Sequence, residues 1–322
     1  MKRIAVLTSG GDAPGMNAAI RAVTRTAVER GVEVFGVRRG YVGLIEGDMA
    51  HLTARHVSGI LELGGTMLET IRCPEFTSVE GRMKALASLE RHRIEGLIVI
   101  GGDGSQRGAH DLSRMGVPVN GVASTIDNDL YGSEMTIGVD SALNVALESI
   151  DRLRTTASSH HRLFIVEVMG RHCGYLALTA GLAGGAEVIV TPEFDLAPQV
   201  VLQRIHEAHR RGKRHAVVVV GEGAGTNGQT LYRYLQEDPA AVFEPRLTIL
   251  GHVQRGAKPG AFDRLLATRL AARATDLLLK GQTGLLVGLL AGVATPTPLC
   301  DIVGRVKPLP PELLELAQTM QL

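Results

Sequence analysis

Tryptophan is absent from this 322-residue chain, and aromatic residues together make up only 3% of it. So few rings cannot furnish the stacking platforms on which single-stranded nucleic acid is held. Net charge is equally thin: 34 Lys and Arg against 33 Asp and Glu leave +1 with histidine neutral. No long-range field then draws in DNA or a membrane surface, and any anion site must be a local cluster. Cysteine is scarce too. Cys73, Cys173 and Cys300 are odd in number and far apart, which fits neither a disulfide framework nor a zinc site and points to a reducing cytoplasm. No apolar run reaches the length of a membrane span. Met1-Lys2-Arg3 and the apolar run behind it imitate a secretory leader, but the run stops at Thr8-Ser9-Gly10-Gly11, too early for a leader's apolar core. Ser- or Pro-rich linkers, low-complexity tracts and short internal repeats are also missing.

What is present is a globular composition, 45% hydrophobic and 21% charged, long enough for one large domain or two ordinary ones joined by ordered connections. Short apolar runs alternate with segments of helical period. Ile4–Leu7, Leu97–Ile100, Val119–Ala123, Leu163–Val168, Val188–Val190, Ala216–Val220, Leu247–Leu250 and Leu285–Val287 read as strands. Helices are predicted over Gly15–Arg30, Ser105–Arg114, Val139–Ala157, Pro198–Arg211, Ala261–Lys280 and Pro310–Gln321. Runs this short and unalternating fit parallel sheets covered on both faces, hence α/β architecture with right-handed crossovers.

Glycine numbers 39, much of it in pairs, and the pairs fall at strand ends. Ser9-Gly10-Gly11-Asp12-Ala13-Pro14-Gly15 follows the first strand and opens a helix, where backbone N–H groups can meet phosphate oxygens. Alone it is better read as a tight turn, since it matches neither the P-loop nor the dinucleotide fingerprint. Gly101-Gly102-Asp103-Gly104-Ser105 repeats the arrangement and adds a carboxylate. Asp103 suits Mg²⁺, which takes one or two carboxylates plus substrate phosphates; the plainer reading is a helix N-cap. In Ser124-Thr125-Ile126-Asp127-Asn128-Asp129 two carboxylates two residues apart would share one side of an extended segment, one to take a hydroxyl proton and one to hold metal. An Asx-type turn explains that motif equally well. Three such strand ends point to one crevice at a sheet's carboxyl edge. In the second half, Arg171 of Glu167-Val168-Met169-Gly170-Arg171 could stabilise charge on a transferring phosphoryl group. His252 and Arg255 of Gly251-His252-Val253-Gln254-Arg255 could hold a sugar phosphate. Singly, such residues are more often structural or solvated.

The ordered series SGGDAPGMNAAIR, RCPEF, GGDGS, TIDND, EVMGRHCG and LGHVQRG resembles the bacterial ATP-dependent 6-phosphofructokinases, from Met1 to beyond Arg255. The resemblance implies two Rossmann-like three-layer α/β domains, each a mostly parallel sheet flanked by helices, with the active site in the cleft between them. Residues 1–138 plus 252–305 would form the larger, ATP-binding domain, and 139–251 plus 306–322 the smaller, fructose 6-phosphate-binding one. It further implies Asp127 as the base on the sugar 1-hydroxyl, aided by Thr125, Arg171 and Gly11. Asp103 and Asp129 would govern Mg²⁺. Gly11, Tyr41, Arg72, Cys73, Gly102, Asp103, Gly104, Ser105 and Gly108 would line the ATP site. Met169, Gly170, Glu222, His252 and Arg255 would hold fructose 6-phosphate. Arg162 and Arg246 resemble two arginines that reach the sugar phosphate of a neighbouring subunit, which implies a D2 homotetramer.

Pyrophosphate-using relatives carry Asp at the position of Gly104, where it would intrude on the nucleotide's α-phosphate, so Gly104 favours ATP. The companion position, Gly in ATP users and Lys in pyrophosphate users, is Ser124 and matches neither pattern. Arg21, Arg25, Arg154, Gly185, Glu187, Arg211, Lys213 and His215 match an effector site for a nucleoside diphosphate and its Mg²⁺. The basic run 210–215 is equally explained as a helix end complementing its dipole. Ala54, Gly59 and Leu63 replace residues usual at that effector site, and weakened control by ADP and phosphoenolpyruvate is expected. A pyrophosphate-dependent enzyme, a nucleotide or lipid kinase sharing the GGDG loop, and a non-catalytic sugar-phosphate sensor are the competing readings. The EVMGR and GHVQRG segments oppose the second, and the intact Asp127 opposes the third.

Overall fold

The apolar run after Lys2 forms strand β1 (Arg3–Ser9), buried at every residue but the first. The strands that follow are β2 (Glu33–Val37), β3 (Met49–Leu52), β4 (Gly96–Gly101), β5 (Val119–Ala123), β6 (Arg162–Val168), β7 (Val188–Val190), β8 (Ala216–Gly221), β9 (Glu244–Ile249), β10 (Leu285–Leu290) and β11 (Val293–Pro298). The helices are α1 (Met16–Glu29), α2 (Tyr41–Glu46), α3 (Val79–Arg91), α4 (Asp103–Arg114), α5 (Val139–His160), α6 (Tyr175–Ala183), α7 (Pro198–Arg210), α8 (Gly228–Glu237), α9 (Ala261–Leu279) and α10 (Pro311–Met320). The computed structural model describes residues 1–239 and 241–320. Gln321 and Leu322, on which the expected final helix and second domain end, lie outside the described residues, as does Ala240.

The chain divides into two units, Met1–Ser141 with Arg255–Lys307, and Ala142–Gln254 with the tail from Pro308. The first holds a seven-stranded sheet in the order β11-β10-β5-β4-β1-β2-β3. Its central strands are parallel and its two edges are not: β3 runs antiparallel to β2, and β11 to β10. The β10–β11 hairpin closes through Ala291 and Gly292, both at positive φ (48° and 74°), as a two-residue turn matched to strand twist requires. Pro296 and Pro298 are tolerated in β11 because it is an edge. Helix α1 buries Met16, Ile20, Val23 and Ala27 at helical spacing and packs on α9. The buried Asp263 of α9 accepts from Gly138 N and Ser141 N (both 2.8 Å) and from Ser141 Oγ (2.6 Å). An acid from one helix thus satisfies the first N–H groups of another, α5. Burial pushes this carboxyl up in pKa, against the pull of those bonds.

The second unit holds a four-stranded sheet, β7-β8-β6-β9, parallel throughout. Leu163, Ile165, Val188, Val190, Val218 and Val220 form the centre of its core, and α10 packs on α6. Strand β9 lies at the edge and leaves Ile249 54% exposed.

Candidate active site

Strand register sets the first unit's functional edge. Ser9 of β1 lies level with Gly101 of β4, which lies level with Ala123 of β5. Three neighbouring strands therefore release Gly10-Gly11-Asp12, Gly102-Asp103-Gly104 and Ser124–Asp129 along one carboxyl edge. The loops touch: a Cβ on Gly102 would stand 3.2 Å from Thr125 Cβ.

Helix α4 begins at Asp103, two residues before the predicted start. Gly102, not Asp103, occupies the N-cap and provides no side-chain cap, which corrects the N-cap reading of Asp103. The Asp103 carboxylate instead meets Arg107 one turn on, at 3.2 Å. The buried Tyr41 donates its hydroxyl to Ser105 O at 2.7 Å and stacks on Phe76, ring centres 3.9 Å apart. Burial pushes the Tyr41 hydroxyl far up in pKa. A Cβ on Gly108 would meet that hydroxyl at 2.7 Å. Burial also pushes up the Cys73 thiol, at the start of the turn carrying Phe76. Tyr41, Cys73, Ser105 and Gly108 thus form one neighbourhood beside the α4 N-terminus, with Arg72 exposed next to it.

The segment after β5 is a turn held by Thr125 and Asn128. Thr125 Oγ1 accepts from Asp127 N at 3.1 Å, and Asn128 Oδ1 from Thr136 N at 3.2 Å. Asn128 sits at φ 54°. The expected extended run with both carboxylates on one side is therefore not formed: Asp127 is 3% exposed, whereas Asp129 is half-buried. Facing Asp127 is Arg255, whose guanidinium lies 3.7 Å from the carboxylate and donates to Asp12 O at 3.1 Å. Gly11 makes that approach possible, since a Cβ there would stand 2.6 Å from Arg255 Nη1.

The second unit has a corresponding edge, where β6 feeds Met169-Gly170-Arg171, β8 feeds Glu222, and β9 feeds the turn bearing His252. Glu222 Oε1 accepts from Arg171 N (2.9 Å) and Gly170 N (3.3 Å). Arg171 is exposed at φ 52°, which turns its side chain out of the strand line. Gln254, given no role in the sequence reading, is fully buried and accepts from Met169 N at 2.8 Å. Its position inside LGHVQRG was the only signal for it.

A family model for phosphofructokinase matches residues 3–278. An ATP-dependent 6-phosphofructokinase of Thermus thermophilus is 53% identical over 324 residues, covering all of both chains. The protein of the same name from Shouchella clausii is 48% identical over 322 residues, again covering all of both chains. This chain belongs to the phosphofructokinase family. Among solved structures, phosphofructokinase from Saccharomyces cerevisiae superposes with a TM-score of 0.87 at 36% identity, over 99% of this chain and 46% of that longer one. The expected α/β class is therefore that of the phosphofructokinase fold.

The remaining residues expected from the phosphofructokinase resemblance fall into three groups. Arg162 and Arg246, on adjacent strands β6 and β9, share one carboxylate: Glu244 accepts from Arg162 Nε at 3.1 Å and also pairs with Arg246. Arg246, then Arg162, hold the Glu244 carboxyl below its usual range. Arg154, Gly185, Glu187 and Lys213 come together in the second unit. Arg154 donates to Gly185 O at 2.6 Å, and the 7%-exposed Glu187 accepts from Lys213 Nζ at 2.7 Å and Val217 N at 2.6 Å. Arg211 and His215 flank Lys213 in the chain. Arg21 and Arg25 stand apart from that cluster in sequence, on α1 of the first unit.

Proposed function

We propose that this phosphofructokinase transfers the γ-phosphoryl group of ATP to the 1-hydroxyl of fructose 6-phosphate, releasing fructose 1,6-bisphosphate and ADP. Full-length identity to relatives named for that activity is the observation that carries the reading. Asp127 accepts the hydroxyl proton as the sugar oxygen attacks the γ-phosphorus, while the bond to the β-phosphate breaks. Arg255 supplies a fixed positive charge beside that carboxylate. Thr125, Gly11 and Arg171 stabilise the transferring group. Gly11, Tyr41, Arg72, Cys73, Gly102, Asp103, Gly104, Ser105 and Gly108 bind ATP in the first unit. Met169, Gly170, Glu222 and His252, from the second, bind the sugar phosphate together with Arg255, and Arg162 and Arg246 reach the sugar phosphate of a neighbouring subunit.

Asp103 and Asp129 are the carboxylates we assign to Mg²⁺. Among the described residues no group of three or more His, Cys, Asp or Glu forms a metal cage. Two partly exposed carboxylates suit a hydrated ion that arrives on a nucleotide. Bound there, Mg²⁺ would offset the negative charge of the phosphates.

We assign the protein to the cytoplasm, in keeping with its three free cysteines and with the lack, among the described residues, of a helix long and apolar enough to cross a membrane. Arg162 and Arg246 support a homotetramer with shared sugar sites; full activity in a species that light scattering shows to be monomeric would rule this out. Control by ADP and phosphoenolpyruvate is expected to be weak, given Ala54, Gly59 and Leu63. Strongly sigmoidal inhibition by phosphoenolpyruvate that disappears in Arg211→Ala would contradict that expectation.

Product formation from fructose 6-phosphate with Mg²⁺, run in parallel with ATP and with pyrophosphate, tests the function. Turnover with ATP alone is the expected result. Turnover with pyrophosphate would mean that the Gly104 argument fails here, and silence with both would favour a different acceptor or a sugar-phosphate sensor.

A further inference from the structure

Directly after the GGDGS motif stands Gln106, a fully buried residue in the first turns of α4. Its side-chain amide points into the sheet. Nε2 donates to Gly101 O at 2.9 Å and lies 3.3 Å from both Val99 O and Val122 O. Two of those carbonyls belong to the end of β4 and the third to β5. Gly101 O also accepts from Ser124 N at 3.2 Å, so the same oxygen is held by α4 and by the loop after β5. Three carbonyls around one nitrogen set the orientation of the amide, because its oxygen turned the same way would face three acceptors.

That orientation leaves Gln106 Oε1 buried with no hydrogen-bond partner. It lies against Gly121, where a Cβ would collide with it. An orphaned buried oxygen is unfavourable, and an apolar side chain of equal length would fill the same space without it. Packing alone therefore does not explain a glutamine here. What the amide adds is a fastening between the ends of two strands. One end leads into Gly102-Asp103-Gly104, the other into Thr125 and Asp127.

We propose that Gln106 is a positioning residue for phosphoryl transfer, tying β4 to β5 so that the phosphate-binding loop and the loop carrying Asp127 keep a fixed separation. The proposal rests on the roles given above to those two loops. Transfer between two bound substrates depends on that separation, and a displacement of about 1 Å can cost roughly 10²-fold in rate.

Gln106→Leu and Gln106→Met, which keep the volume and remove the donor, provide the test. Wild type is first shown to convert ATP and fructose 6-phosphate. Its inactivity would overturn the functional reading and this proposal with it, and activity isolates the question of Gln106. In both variants kcat for sugar phosphorylation is expected to fall about 10- to 100-fold, with KM for each substrate changed less than about 3-fold. The ratio of inorganic phosphate released to fructose 1,6-bisphosphate formed is expected to rise, as misaligned ATP is lost to water. A lowered melting temperature with kcat and that ratio unchanged would overturn the proposal, as would failure of both variants to fold, because the amide would then serve stability alone.

Discussion

Asp127→Asn is expected to lower kcat by about 10²–10⁴-fold, the range over which a general base contributes, while both KM values stay near wild type. Asparagine keeps the size of the side chain, and Thr125 and Asn128 hold the turn around it. Thr125 Oγ1 receives the backbone N–H of residue 127, and Asn128 ties the turn to Thr136. Arg255 loses its opposing charge but keeps its bond to Asp12 O, so the variant should fold. What disappears is the group that takes the hydroxyl proton. Steady-state kinetics with ATP and fructose 6-phosphate decide the matter, and a variant turning over within a few-fold of wild type would remove Asp127 from the mechanism.

Gly104→Asp should sharply weaken the use of ATP and leave the fold intact. Gly104 is exposed in the first turn of α4, and a Cβ there would meet no atom within 4 Å. Its φ is not among the positive ones, so an L-residue fits the backbone. A carboxylate in a helix's first turn is also favourable to the helix dipole. The protein itself therefore has no cause to object. The nucleotide does: a carboxylate about 4 Å from a phosphate charge, at an effective dielectric near 20, is repelled by about 4 kcal/mol, or roughly 10³-fold in affinity. Solvent screening at an exposed site weakens this, and a rise of about 100-fold or more in KM for ATP is the expected reading. An unchanged KM, with an unchanged melting temperature, would show that the phosphates lie elsewhere.

Central strands other than β2 (EVFGV) were legible because a strand buried on both faces needs a largely apolar run. Leu97–Ile100 and Ala216–Val220 match β4 and β8 to within one residue at each end. Edge strands can lack such a run, although the buried edge β7 (VIV) keeps one. β3 reads MAHL and β11 reads VATPTP, both partly exposed and paired on one side only, and neither is visible as a strand in the sequence. The start of α4 was hidden by its own glycines, since Gly102 caps the helix without a side-chain signal. The twin carboxylates of TIDND looked equivalent in sequence. The left-handed turn at Asn128 separates them into a buried acid and a half-buried one.

By itself the sequence determined the family, the order of the strand-end loops and the residue types available at each, because these are local patterns of glycine, acid and apolar run. Only the tertiary structure decided which side chains meet. Arg255 reaches the carbonyl of Asp12 across 243 positions of chain, and one glutamine amide joins the ends of two strands. Those partnerships follow from strand register and from how helices settle on the sheet, which depend on the packing of the whole unit and leave no mark in any short stretch of residues.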